Sequence, residues 1–137
     1  MLPKRIRLEL VTPERRVLRE EVQEVVLPGS EGYFGVLPGH APLLSMVEIG
    51  EVMYRKGTEK HYIAISGGFV EVLSETVSVL VETAEKAEEI DLERARSSLR
   101  RAEERFRKPP ADLDFQRSRG SLQKALIRIQ ISGRRFP

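Results

Sequence analysis

Two hydrophobic periods divide this chain. Through residues 1–84 apolar side chains recur at every second position. Ile6, Leu8 and Leu10 alternate with Arg5, Arg7 and Glu9, and Val70, Val72, Val77, Val79 and Val81 repeat the spacing. A period of two buries one face of an extended segment and leaves the other in water. The run Val22–Leu27 ends at Pro28-Gly29, while Glu51–Arg55 and His61–Ile65 flank a glycine-containing loop, Lys56–Lys60, that suits a hairpin. β-Branched residues fill these runs, as a pleated, half-buried surface favours. Short strands separated by turn residues predict an all-β sandwich or barrel.

From Glu82 to Ile90 the alternation stops and the chain becomes polar and alanine-rich, which predicts a linker over 85–90. Beyond it Leu92, Ala95, Leu99, Ala102 and Phe106 recur at spacings of three and four, the period of an amphipathic helix. Lys108-Pro109-Pro110 stops that helix, because proline cannot continue it and disfavours helix in the residue before it. Asp112 or Asp114 can cap a second helix with an apolar stripe of Leu122, Ala125, Leu126 and Ile129. Gly120 inside it costs ~1 kcal/mol relative to alanine. Two helices joined by a short proline turn make an antiparallel hairpin over residues 91–137. Each stripe is narrow, so the pair needs a partner surface, and a weakly held element of this kind suits a switch. The expected fold is an all-β N-terminal sandwich or barrel followed by a C-terminal α-helical hairpin.

Composition narrows the chemistry. With 40% hydrophobic residues the chain can bury a real core. There is no cysteine, so disulfides and thiolate metal sites are excluded. No apolar run approaches the ~18 residues of a membrane span. Met1-Leu2-Pro3-Lys4-Arg5 leads directly into the strand pattern without a secretory apolar region, so the expectation is a cytoplasmic chain. The net charge of +2 is unevenly spread, at −3 over residues 1–84 and +5 over residues 85–137. From Phe115 onward there is no carboxylate, against Arg117, Arg119, Lys124, Arg128, Arg134 and Arg135. Such a segment seeks an acidic surface or a polyanion, unless it is simply a solvated face.

Catalytic signatures are missing. His40 and His61 are too few for a zinc site, and no HExxH, GxSxG, Walker-type or GxGxxG motif occurs. Gly67-Gly68 has no helix after it and reads as a bulge or tight turn rather than a phosphate loop. The chain reads as a non-enzyme. The densest feature is Gly29-Ser-Glu-Gly-Tyr-Phe-Gly-Val-Leu-Pro-Gly-His-Ala-Pro-Leu-Leu44, where glycines and prolines impose fixed turn geometry. It is either a structural turn closing one end of the sandwich or a recognition loop held rigid by its scaffold.

This run, together with Ile65-Ser-Gly-Gly-Phe-Val-Glu-Val-Leu73 and its continuation Thr76–Glu85, and with Ile90-Asp-Leu-Glu-Arg-Ala95, resembles the epsilon subunit of F-type ATP synthases, called delta in mitochondria. The likeness runs over essentially the whole chain, in family order. It implies a non-catalytic central-stalk subunit, peripheral at the cytoplasmic face of the bacterial inner membrane. Such a subunit couples proton-driven rotation to ATP synthesis and inhibits ATP hydrolysis through its C-terminal helices. The implied partners are the gamma subunit, the membrane c-ring and the alpha and beta catalytic subunits, with no direct membrane insertion. Tyr33 and His40 fall at positions of rotor-ring contact, Tyr33 where some relatives carry a carboxylate.

No cofactor is required, but the resemblance makes ATP a candidate regulatory ligand, with Glu85, Ile90, Asp91, Arg94, Arg101, Lys124 and Arg128 at the matching positions. Lys124 departs from the arginine of ATP-binding relatives. Arg94 and Arg101 lie seven apart and Lys124 and Arg128 four apart, so an antiparallel pair of helices could gather four cations around a triphosphate. Asp91 can equally act as a plain helix cap. Two other classes stand beside this reading: a basic-tailed nucleic-acid-binding module, for which only Phe115 and Phe136 offer stacking in the tail, and a free ligand-binding sandwich.

Overall fold

The computed structural model describes residues 2–134. Arg135 and Phe136, counted above in the basic tail, lie outside the described residues. Ten strands come first: β1 (Ile6–Val11), β2 (Arg16–Val22), β3 (Glu24–Gly29), β4 (Gly32–Val36), β5 (Leu43–Val47), β6 (Gly50–Lys56), β7 (Glu59–Ile65), β8 (Gly68–Val72), β9 (Thr76–Val81) and β10 (Ala84–Lys86). A single 3-10 turn, Ala87–Glu89, leads into α1 (Leu92–Arg107) and α2 (Phe115–Ser132).

The strands hydrogen-bond in the order β10-β7-β6-β3-β5-β8-β9-β1-β2, with β4 also on β3. Between β3 and β5 the ladder narrows to one residue pair, Gly29 with Val47, so the path folds there into two facing layers. Every pairing is antiparallel except that of β1 with β9. The inward positions are those the alternation marks, among them Ile6, Leu8, Leu10, Val22, Val25, Leu27, Val52, Ile63, Val70, Val72, Val77 and Val79, all essentially buried in one core. The expected sandwich or barrel is the observed fold.

Three local readings change. Val22 and Leu27 belong to different strands, because Gln23 leaves the ladder and donates its N–H to the carbonyl of Arg55, 2.8 Å away. Gly68 is neither bulge nor turn. It opens β8 between Val47 and Val81, where an added Cβ would stand 2.0 Å from the Leu80 carbonyl oxygen, so only glycine fits this approach. The segment read as linker contains most of β10, paired with β7, and the buried Ala87 and Ile90.

The helices form the expected hairpin. Asp91 caps α1 by accepting the Arg94 N–H at 3.1 Å, and Asp114 rather than Asp112 caps α2 by accepting from Arg117 at 3.1 Å. Small side chains seven apart, Ala95 and Ala102 on α1, Ser118 and Ala125 on α2, are buried and let the two axes come close. Phe106 and Phe115 meet at the turn with ring centroids 6.4 Å apart. The stripe expected on α2 is only partly right: Leu126 is exposed, and Ile131, fully buried, carries the contact with the sandwich.

Candidate functional site

The outer surface of the sandwich carries two rungs of side chains lined up across neighbouring strands, one covered and one open. The covered rung is Glu51–Ala64–Glu85. Glu51 of β6 and Glu85 of β10 both stand in register with Ala64 of β7, so all three point to the same side. α2 lies across them. Ile127 and Ile131 pack with Ala64, Ala87, Ile90 and Tyr62 in a small apolar cluster separate from the main core. On one flank the Arg128 guanidinium grips Glu85 in a fork, Nε to Oε1 at 2.8 Å and Nη2 to Oε2 at 3.3 Å. On the other, Glu51 accepts from Gln130 Nε2 at 2.8 Å and pairs with Arg134 Nε at 2.8 Å. The Arg134 guanidinium also sits 4.4 Å from the centre of the Tyr62 ring. The Glu51 side chain is only 10% exposed, so its charge relies on these donors.

The residues proposed for a nucleotide are partly gathered here. Glu85, Lys124 and Arg128 line one recess of about 200 Å³ with Ser66, Thr83 and Ile127. Ile90 is buried beneath α2 in the apolar cluster. Asp91 is engaged as the α1 cap. Arg94 and Arg101 are exposed on α1 and are not among the residues lining the recess; Arg101 bonds Ser98 Oγ at 3.1 Å. The arrangement therefore offers one lysine and one carboxylate-bound arginine, not four free cations.

The second rung is open. Met46, Phe69 and Leu80 stand in register across β5, β8 and β9, each more than half exposed, and the rung continues to Val11 on β1. Leu44, also exposed, lies two residues from Met46 on the same face. Three neighbouring large apolar side chains in water make a contiguous apolar patch rather than ordinary surface scatter.

At the end formed by the glycine- and proline-rich run, the Tyr33 hydroxyl accepts the Glu51 N–H at 3.1 Å while much of the side chain remains exposed. Gly50 is needed beneath it, since an added Cβ would lie 2.8 Å from that hydroxyl and 2.7 Å from Pro28 Cβ. His40 follows in the next loop, half-buried, with Nδ1 2.6 Å from the Ala41 carbonyl oxygen. No hydrogen bond or ring contact joins Tyr33 to His40 among the described residues.

Sequence reading missed Ala64, Glu51, Gln130 and Arg134 as members of a site. The signal was present in His61–Ile65, where Tyr62 and Ala64 make the outward face apolar as well, as in a strand covered on both sides. A carboxylate at Glu51, directly ahead of the apolar Val52, Met53 and Tyr54, was the second sign.

The family model for the ATP synthase delta/epsilon chain β-sandwich domain matches residues 5–87, and that for its long α-helix domain matches residues 88–133. The chain belongs to the ATP synthase delta/epsilon family. It is 50% identical over 134 residues to ATP synthase epsilon chain 2 of Syntrophotalea carbinolica, covering 97% of both chains. It is 49% identical to the ATP synthase epsilon chain of Citrifermentans bemidjiense, again covering 97% of both. Among solved structures it is similar to a chain of the Euglena gracilis mitochondrial ATP synthase OSCP/F1/c-ring assembly, with a TM-score of 0.79 and 26% identity over 97% of this chain and 83% of that one. A chain of the Tetrahymena thermophila mitochondrial enzyme, 16% identical with a TM-score of 0.57 over 96% of each chain, shares the fold. An epsilon-type chain is a non-catalytic subunit of the ATP synthase stalk. No helix among the described residues is long and apolar enough to cross a membrane.

Proposed function

We propose that this chain couples rotation to ATP synthesis as a mount for a movable inhibitory hairpin. The sandwich sits on the gamma subunit through the open rung of Met46, Phe69 and Leu80, and on the c-ring through the end that presents Tyr33 and His40. The complex lies at the cytoplasmic face of a bacterial inner membrane. Released from the sandwich, the hairpin extends along gamma, and α2 meets acidic loops of the alpha and beta subunits and blocks ATP hydrolysis. The observation that carries this reading is the separateness of the two apolar clusters: α2 can leave with Ile127 and Ile131 while the main core stays closed. The described part of α2 and its exit, Phe115 to Arg134, holds no carboxylate, which gives that contact its electrostatic drive.

The test is truncation after Glu89 in the reconstituted complex. Assembly should persist and ATPase activity should rise; unchanged activity would remove the inhibitory role. A second reading, regulatory ATP, rests on the recess beside Lys124 and Arg128, where a phosphate would take over the Arg128 fork from Glu85. The nucleic-acid reading is the less favoured, since Arg128 and Arg134 are paired with Glu85 and Glu51.

A further inference from the structure

We infer that the Glu51–Ala64–Glu85 rung is a two-pronged latch that holds the hairpin docked on the sandwich with no ligand bound. The inference stands on geometry alone and does not depend on the nucleotide reading. Neighbouring strands are ~4.8 Å apart, so the two outer members of a three-strand rung stand roughly 10 Å apart, about the width of a helix. An alanine between two carboxylates makes a trough with acidic walls and a low floor. α2 presents a matching surface. Ile127 and Ile131 share one face; at 3.6 residues per turn Arg128 lies roughly 80° to one side of their midline and Gln130 roughly 80° to the other. Arg134 arrives beyond the helix C-cap, Gly133, and doubles the Gln130 side.

Each prong does what the apolar patch cannot. Ile127 and Ile131 would tolerate sliding or rotation of α2, since contact between aliphatic surfaces is non-directional. The fork at Arg128 and the paired donors on Glu51 fix both azimuth and register, because a guanidinium–carboxylate fork is directional. α1 makes its main contacts with α2, so it travels with it. Glu51 is also tied into the sandwich, its N–H held by the Tyr33 hydroxyl at 3.1 Å, so this prong has a fixed base. Glu85 is set by its strand pairing to Ala64. A half-buried carboxylate that has lost its cation is costly, which makes each prong all-or-none rather than a soft attraction.

Hydrogen exchange on the full-length chain, without nucleotide, tests the latch. α2 amides should be protected in the unaltered chain. Glu51→Gln and Glu85→Gln should each speed α2 exchange by about tenfold, the scale of a charge-assisted hydrogen bond, and together by more. β9 should not change in any of them. The exchanged pair Glu85→Arg with Arg128→Glu should recover protection lost in Glu85→Gln, which a generic loss of stability would not do. If Glu51→Gln also loosens β9, the Glu85 arm decides. Unprotected α2 amides in the unaltered chain, or α2 exchange unmoved by Glu85→Gln, would overturn the inference.

Discussion

Tyr54 faces inward from β6, 7% exposed, its ring stacked on His61 with centroids 4.9 Å apart. Burial first, and then the nearby charges of Glu20 and Glu88, push its phenol up to about 12 from the usual 10.0. The folded state thus favours the neutral phenol. Its contribution is complete below the unfolded value near 10 and disappears as pH rises through about 12. Urea midpoints followed from pH 8 to pH 11.5, roughly, should fall at the alkaline end, and the fall should be shallower in Tyr54→Phe. Equal slopes in the two proteins would show that Tyr54 is not the titrating group. At this scale the sequence was an uneven guide. Inward valines and leucines were readable because alternation is a property of the strand itself. Gly68 was not, since the Leu80 carbonyl that excludes a side chain lies twelve residues further along.

Both ends of α1 and the start of α2 were legible to within two residues, because caps and prolines act locally: Asp91, Asp114 and Pro109 do their work within one turn. What α2 touches was not legible. Its stripe was drawn through Leu122, Ala125, Leu126 and Ile129, yet the helix serves two neighbours, α1 through Ser118 and Ala125 and the sandwich through Ile127 and Ile131. A single amphipathic axis cannot describe a helix with two buried faces. The same blindness affected the cation cluster, where spacing along each helix said nothing about Glu85 claiming Arg128. The consequence for the proposed ATP reading is specific. In calorimetric titration with ATP, Lys124→Ala and Arg128→Ala should each weaken binding by about tenfold, and Arg101→Ala far less. A dominant effect of Arg101 would place the nucleotide away from the recess.

For the molecule as a whole, the open rung and the covered rung divide the surface between an external partner and the chain's own helices. Phe69 contributes to no buried cluster, so Phe69→Glu should leave the unfolding free energy within roughly 0.5 kcal/mol of the original. It should nevertheless abolish co-elution with the gamma subunit in size-exclusion chromatography. Retained co-elution would move the docking surface elsewhere. The overall plan, strands then helices, was written plainly in the change of hydrophobic period, whereas strand order was not, because pairing partners are distant in sequence. One such partnership governs how the chain is made. β1 lies parallel to β9, with Arg7 beside Thr76 and Leu10 beside Val79. On a ribosome β1 therefore waits for nearly the whole sandwich to be synthesised before its parallel neighbour exists. Until then Ile6, Leu8 and Leu10 lack the cover of that neighbour, so the layer that holds β1 cannot close before β9 is made.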